Sequence, residues 1–201
     1  MDGNMAWDTQ GTKRRILRAA VEQFAAGGLD GTTVERIAAA AGVNKERVYN
    51  YFGGKRQLFD RVLSEELAAV AEAVPASSFA EEDIGEYAGR VYDYHRQRPF
   101  LTRLLRWESL AFDEEVPDEA QRRMHYAQKV SAVADGQDRG AVTRDIEADH
   151  LTFLVLSLAG WWFTVPQVAR MISGLDSDAE HARRRAAVVL SAQRIAGVSQ
   201  R

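Results

Sequence analysis

The chain has 201 residues, 46% hydrophobic and 27% charged, with a formal net charge of −3 at pH 7. That size and mix suit one or two globular domains with a real core. The absence of cysteine excludes disulfides, thiolate metal sites and a cysteine nucleophile, and the four histidines (His95, His125, His150, His181) are scattered without metal-ligand spacing, so neither a metal nor a cofactor is expected.

The charge is unevenly divided. Residues 1–61 carry 10 Lys/Arg against 7 Asp/Glu, whereas residues 62–201 carry 16 against 22. A basic amino-terminal part on an acidic remainder suits a small nucleic-acid-binding head on a body with another task. Residues 1–11 lack the basic-then-apolar layout of a signal peptide. The longest apolar stretch, 151–165, is interrupted by Thr152, Ser157, Gly160 and Thr164 and falls short of the ~20 residues of a membrane span. A cytoplasmic protein with no membrane partner is the expectation.

The periodicity predicts a first helix over 12–26, with Ile16, Leu17, Ala20, Val21 and Phe24 on one face. Lys13, Arg14, Arg15 and Arg18 crowd its amino end, where the helix dipole disfavours cations. They form either a solvated face or a phosphate-attracting one. Gly27 and Gly28 close the helix. Thr33 then suits an N-cap, and Val34, Ile37, Ala38 and Ala41 make one apolar stripe. Gly42 supplies a left-handed stop, and Asn44 caps a further helix with Lys45, Glu46, Arg47, Tyr49 and Asn50 outward. A capped helix, a glycine turn and a polar second helix make a helix-turn-helix, whose second helix enters a DNA major groove.

A fourth helix runs from Lys55 to about residue 74 through Leu58, Phe59, Val62, Leu63, Leu67 and Val70, and Pro75 with Ser77 and Ser78 marks a linker. A fifth helix is expected over 81–97, and a sixth starts at Pro99 with Leu101, Leu104, Leu105, Trp107 and Leu110. Pro117 opens a seventh over 118–135, and 136–145 is a polar loop. An eighth runs from 147 past 165 with a kink at Pro166, and a ninth spans 177–196. No stretch alternates with period two over a strand length. The fold class is all-α with about nine helices: a three-helix head over residues 1–54 and a helical body over 55–201.

The one carboxylate group resembling an acid-base site, Glu108 with Asp113, Glu114 and Glu115, reads as a solvated helix end. No nucleophile, metal or phosphate-loop motif accompanies it, so no catalytic residue and no enzyme activity are expected. The eighth helix is apolar nearly all round (Leu151, Phe153, Leu154, Val155, Leu156, Leu158, Ala159, Trp161, Trp162, Phe163), so it must be covered on several sides.

A first helix ending Phe-Ala-x-x-Gly, then Thr-Thr-Val-x-x-Ile-Ala-x-x-Ala-Gly-Val, then Val48-Tyr49-x-x-Phe52 and Lys55-x-x-Leu58-Phe59 resembles the tetracycline-repressor (TetR) family over about residues 12–63. The resemblance implies a DNA-binding transcriptional regulator, usually a repressor, that binds a pseudo-palindromic operator as a homodimer and is released by a small molecule. It also implies that Thr33, Tyr49 and Lys55 meet phosphates, while Lys45, Glu46, Arg47 and Asn50 lie where base edges are read. Arg47 suits a bidentate pair with guanine, the alternative being a phosphate or solvent contact. Glu46 suits cytosine N4 or a neighbouring cation, Asn50 adenine or a phosphate, and Tyr49 a phosphate, a half-buried core position or both. Glu46-Arg47, Asn50-Tyr51 and Gly54 depart from the family's usual residues, which puts the operator sequence in doubt. In the body the resemblance implies dimerisation through the last two helices and a pocket for an apolar or aromatic effector, for which Trp107, Met124, Gln128, Trp161 and Trp162 are the candidate lining, with His95 among the polar groups able to orient a ligand. The alternative is a helix-turn-helix regulator without a small-molecule effector, controlled by a protein partner or constitutive.

Overall fold

The computed structural model describes residues 3–111 and 116–197, with side chains from residue 9 onward; Asp113, Glu114 and Glu115 lie outside the described residues. Ten α-helices and no strand occur among the described residues. They group into two compact units, one of residues 1–68 with 100–118 and the other of residues 69–99 with 119–201. This division differs from one at 54/55, because the early turns of the fourth helix and most of the sixth pack with the amino-terminal helices.

The first unit begins with α1 (Gly3–Gly27), longer at its start than the expected 12–26. It stops where Gly28 takes φ +67° and donates to the Phe24 carbonyl at 2.8 Å. α2 (Val34–Ala41) buries the stripe read from the sequence, Val34, Ile37, Ala38 and Ala41. Thr33 caps it by accepting from the Arg36 amide at 3.3 Å, and Gly42 ends it at φ +66°. α3 (Lys45–Phe52) is capped by Asn44, which accepts from the Arg47 amide at 3.3 Å. α4 (Lys55–Ala73) inserts Leu58, Phe59, Val62 and Leu63 beneath these helices. Phe24 and Phe59 meet edge to face at 5.1 Å, and each fully buried apolar side chain here contributes about 1.5–3 kcal/mol. From α6 (Pro99–Ala111), Leu104 enters the same core.

The second unit is built round α5 (Ile84–Gln97), which starts later than expected because Asp83 caps it, accepting from the amides of Gly85 at 2.6 Å and Glu86 at 3.1 Å. α5 packs against both α8 (Ala148–Thr164) and α10 (Asp178–Ile195). Its approach to α10 depends on missing side chains: a Cβ on Gly85 would stand 2.7 Å from the Val189 carbonyl oxygen, and one on Gly89 2.9 Å from the Arg185 guanidinium. α7 (Glu119–Asp138) lies against α8, and the loop after it is closed by the Gln137 amide donating to the carbonyls of Thr143 and Ile146, both at 2.8 Å. The kink expected at Pro166 is a full break. α8 stops at Thr164, and α9 (Pro166–Ser173) leaves at 85°, Pro166 suiting a first helical position but not an interior one.

Candidate nucleic-acid interface

Of the eight residues of α3, only Val48 is buried, and it is fully so. A single apolar anchor, with Tyr51 and Phe52 half-buried beside the core, turns the rest of the helix outward. Lys45, Glu46, Arg47, Tyr49 and Asn50 are all exposed. The five residues expected to face DNA therefore share one helix with solvent before them. Both ends of that helix are fixed locally: the Asn44 side chain holds its first turn, and the Gly53 N–H closes on the Tyr49 carbonyl at 2.8 Å.

Two side chains have partners within the unit. The Lys45 ammonium stands 3.7 Å from the Glu35 carboxylate, both more than half exposed, a weak, solvent-screened pair that a phosphate can displace. Backbone and Thr33 hydrogen bonds, followed by Lys45, hold the Glu35 carboxyl below its ordinary value. Lys55, half-buried, donates to the Thr32 carbonyl at 3.3 Å, and the Thr32 hydroxyl donates to the Gln23 amide oxygen at 3.1 Å. This chain of bonds ties α1, the start of α2 and the start of α4 together. It brings the Lys55 ammonium beside Thr33 and the α2 amino terminus, where unpaired amides and the helix dipole favour an anion. Lys55 thus has a structural partner that its position in the motif did not signal.

The structure adds Arg36, which the sequence reading left unassigned, and places the α1 cations that it named. Arg36, exposed on α2, donates to the Gly31 carbonyl at 3.3 Å, and Lys13 of α1 lies 5.5 Å from the centre of the Tyr51 ring. Arg14, Arg15 and Arg18 are exposed on the same helix. The spacing of Arg36, three residues after the Thr33 cap, was the available signal for it.

The five residues considered as a pocket lining do not come together within either unit. Trp107 belongs to the first unit: its indole N–H donates to the Ala25 carbonyl at 3.4 Å and its ring covers Gly28, where a Cβ would stand 2.6 Å away. Met124 and Gln128 are exposed on α7, and Trp161 is 61% exposed on α8. Trp162 is half-buried with the Arg184 guanidinium 5.4 Å from its ring. The interior of the second unit instead holds polar atoms with no hydrogen-bond partner among the described residues, namely Tyr87 Oη and His95 Nδ1, both on α5. Burial pushes the His95 imidazole down to about 4 and the Tyr87 phenol well above its ordinary value. Among the described residues, no three His, Asp or Glu side chains gather as metal ligands.

Comparison with known proteins places this geometry. Residues 16–62 match the family described as "Bacterial regulatory proteins, tetR family", and residues 83–194 match "Tetracyclin repressor-like, C-terminal domain". The helix-turn-helix-type transcriptional repressor SCO4008 of Streptomyces coelicolor is 44% identical over 170 residues, covering 84% of this chain and 87% of that protein. The transcriptional regulator RutR of Escherichia coli is 30% identical over 149 residues, covering 71% and 69%. Among solved structures, SCO4942 from Streptomyces coelicolor superposes with a TM-score of 0.80 at 32% identity, over 92% of this chain and 97% of that one.

Proposed function

The chain belongs to the TetR family of DNA-binding transcriptional regulators, and from that premise we propose that it is a homodimeric repressor of the cytoplasm that α3 seats on a pseudo-palindromic operator and a small effector releases. The observation that carries this reading is the outward face of α3, held by one buried valine and capped at both ends. Arg47 and Asn50 offer the forked and amide groups that suit guanine and adenine edges, with Glu46 available to cytosine N4. Thr33, Tyr49 and Lys55 supply the phosphate contacts that set register, helped by the cations of α1.

The exposed faces of α8 and α10 support dimerisation. Phe153, Leu154 and Trp161 line one, and the small side chains Ala182, Ala186 and Ala187 line the other, so a partner's helices can approach closely. A dimer duplicates α3 and so fits a two-fold operator. The second unit supports an effector site: Tyr87 and His95 present buried hydrogen-bonding atoms among aromatic side chains, a setting for an apolar or aromatic compound with a polar group. Such a compound acts through its unequal affinity for two arrangements of the dimer. The chain passes from one unit to the other within α4, at the start of α6 and after residue 118, so α4 is not the sole lever available.

The test is operator binding by two variants. Arg47→Ala is expected to cost about 1–3 kcal/mol at selected base pairs, whereas Lys55→Ala weakens every sequence and lowers the salt slope by about one. Equal losses on all sequences from both variants would refute base reading by α3.

A further inference from the structure

Tyr87 of α5 is 2% exposed, and its hydroxyl has no hydrogen-bond partner among the described residues. Burial holds that phenol well above its ordinary value, so it stays protonated and keeps an O–H to donate. Phe79 ties this side chain to α7. Its ring meets the Tyr87 ring edge to face at 5.2 Å, and its amide donates to the Ala132 carbonyl at 3.3 Å.

One turn before Ala132, on the same side of α7, stands Lys129. Its side chain is half-buried, and its ammonium donates to the His125 carbonyl at 3.4 Å while lying 5.8 Å from the centre of the Tyr126 ring. No carboxylate among the described residues lies within ion-pair reach of it. Burial pulls the ammonium below its ordinary value, and no neighbouring negative charge holds it up. A desolvated cation without a counter-ion is costly, and such groups gather at functional sites. The Tyr126 phenol adds to the rise of Tyr87, which puts both α7 side chains in the neighbourhood of the buried hydroxyl.

The other cation nearby is already matched. Arg90 lies 5.8 Å from the centre of the Tyr87 ring, but its guanidinium is paired with Glu82. One cation in excess therefore stands beside one free phenolic donor. The group that answers both is an anion with oxygen acceptors, attached to an apolar body that meets the rings of Phe79 and Tyr126.

We propose that the effector is an organic acid whose carboxylate sits between the Lys129 ammonium and the Tyr87 hydroxyl. The proposal rests on the reading of the second unit as an effector site and names the chemistry of its ligand. Lys129 gives the carboxylate a charge-assisted bond and Tyr87 a directed one, so an acid gains affinity over its neutral amide. The carboxylate in turn is the counter-ion that Lys129 lacks in the free chain. An inorganic anion offers the same charge but nothing for the rings.

Calorimetric titration of the full chain with octanoate, benzoate and phenylacetate, their primary amides and inorganic phosphate tests this, beside melting of the ligand-free protein. At least one acid binds roughly 10-fold or more tightly than its amide and than phosphate. Lys129→Met lowers that acid's affinity roughly 10- to 100-fold, and Tyr87→Phe lowers it less, with little change for the amide. Without ligand, Lys129→Met raises the melting temperature, because methionine keeps the packing of the stem and removes the unpaired charge. An amide that binds as tightly as its acid overturns the acid and leaves the effector site standing. Phosphate that binds as tightly as the best acid overturns the organic ligand. Lower melting of Lys129→Met overturns the proposal by showing that the fold itself uses the cation. Silence from all three acids overturns it too, and the effector site falls with it only if neutral aromatic probes such as indole also leave melting and operator binding unchanged.

Discussion

The two units are both helical, yet they are held by different kinds of information. In the first, the decisive signals lie within a few residues of one another: Thr33 with Arg36, Asn44 with Arg47, Gly28 with Phe24 and Gly42 with Ala38 and Ala39. In the second, α5 and α10 are joined by pairs about 100 residues apart. Arg185 bonds Asp93 at 2.8 Å and Glu86 at 3.0 Å, Gln193 bonds Asp83 at 2.8 Å, and the Tyr92 hydroxyl meets His181 Nδ1 at 2.7 Å. The contrast suits a division of labour. A DNA-reading element needs one invariant geometry, which caps and a small apolar core supply. A responsive body gains from polar pairs and buried unpartnered groups that a ligand or a proton can rearrange.

The largest expected effect breaks the second unit alone. Arg184→Ala leaves Asp176 without its cation and Glu180 with Arg183 alone, and removes the bonds to Ser173 of α9, at about 3 kcal/mol, the lower end of the range for a broken buried pair because Asp176 is partly exposed and Glu180 keeps a partner. Urea unfolding followed by exchange-resolved protection should show the loss in α8–α10 with α1–α3 unaffected; equal losses in both units would erase the distinction.

Acid acts in opposite senses on the two units, and in the second its effect is similar in size to that of Arg184→Ala. All four histidines lie in the second unit. His95 is held at about 4 when folded, against about 6.5 when unfolded, so between those values the unfolded chain takes up a proton that the folded one refuses. The stability present above pH 6.5 is therefore lost as pH falls towards 4, by about 3 kcal/mol, and His181, also lowered by burial, adds in the same direction. In the first unit, burial raises the Asp60 carboxyl, with Asp118 and Glu108 adding to the rise, so the folded state there gains protons first and is favoured by acid. His95→Leu should flatten the acid slope of the second unit, and denaturant midpoints measured from pH 7 to 4 decide it.

The smallest effect sharpens the other side of the comparison. Thr33→Ala and Asn44→Ala each remove one cap bond and should cost about 1 kcal/mol, read as a shift in the first unit's unfolding midpoint. A loss below a few tenths of a kcal/mol would mean that tertiary packing, not capping, fixes the α2–α3 turn.

This contrast also explains what the sequence made legible. The stripe Val34, Ile37, Ala38, Ala41 and both caps were readable because a helix of eight residues is specified by its own ends and one face. The outward set on α3 followed from the single apolar Val48. The Lys55–Thr32 bond was not readable, because it joins residues 23 apart whose types admit many partners. Trp107 reads from sequence as a candidate ligand contact because a tryptophan among apolar residues looks alike in core and pocket; its seat on Gly28 depends on a left-handed glycine 79 positions earlier. The close approach at Gly85 and Gly89 was equally silent, since a glycine in a helix announces neither its neighbour nor its purpose. Pro166 did announce a disruption, but not the 85° at which α9 leaves α8, which no local residue pattern encodes.

The central claim is that a duplicated α3 reads DNA. Its most direct measurement is a footprint on an operator recovered by pull-down from genomic fragments, with the number of bound chains counted on the same fragment. The account predicts a two-fold symmetric footprint occupied by an even number of chains, with Arg47→Ala protection lost at matching base pairs in both halves. An asymmetric footprint bound by one chain, or full protection retained by Arg47→Ala and Asn50→Ala together, would contradict it.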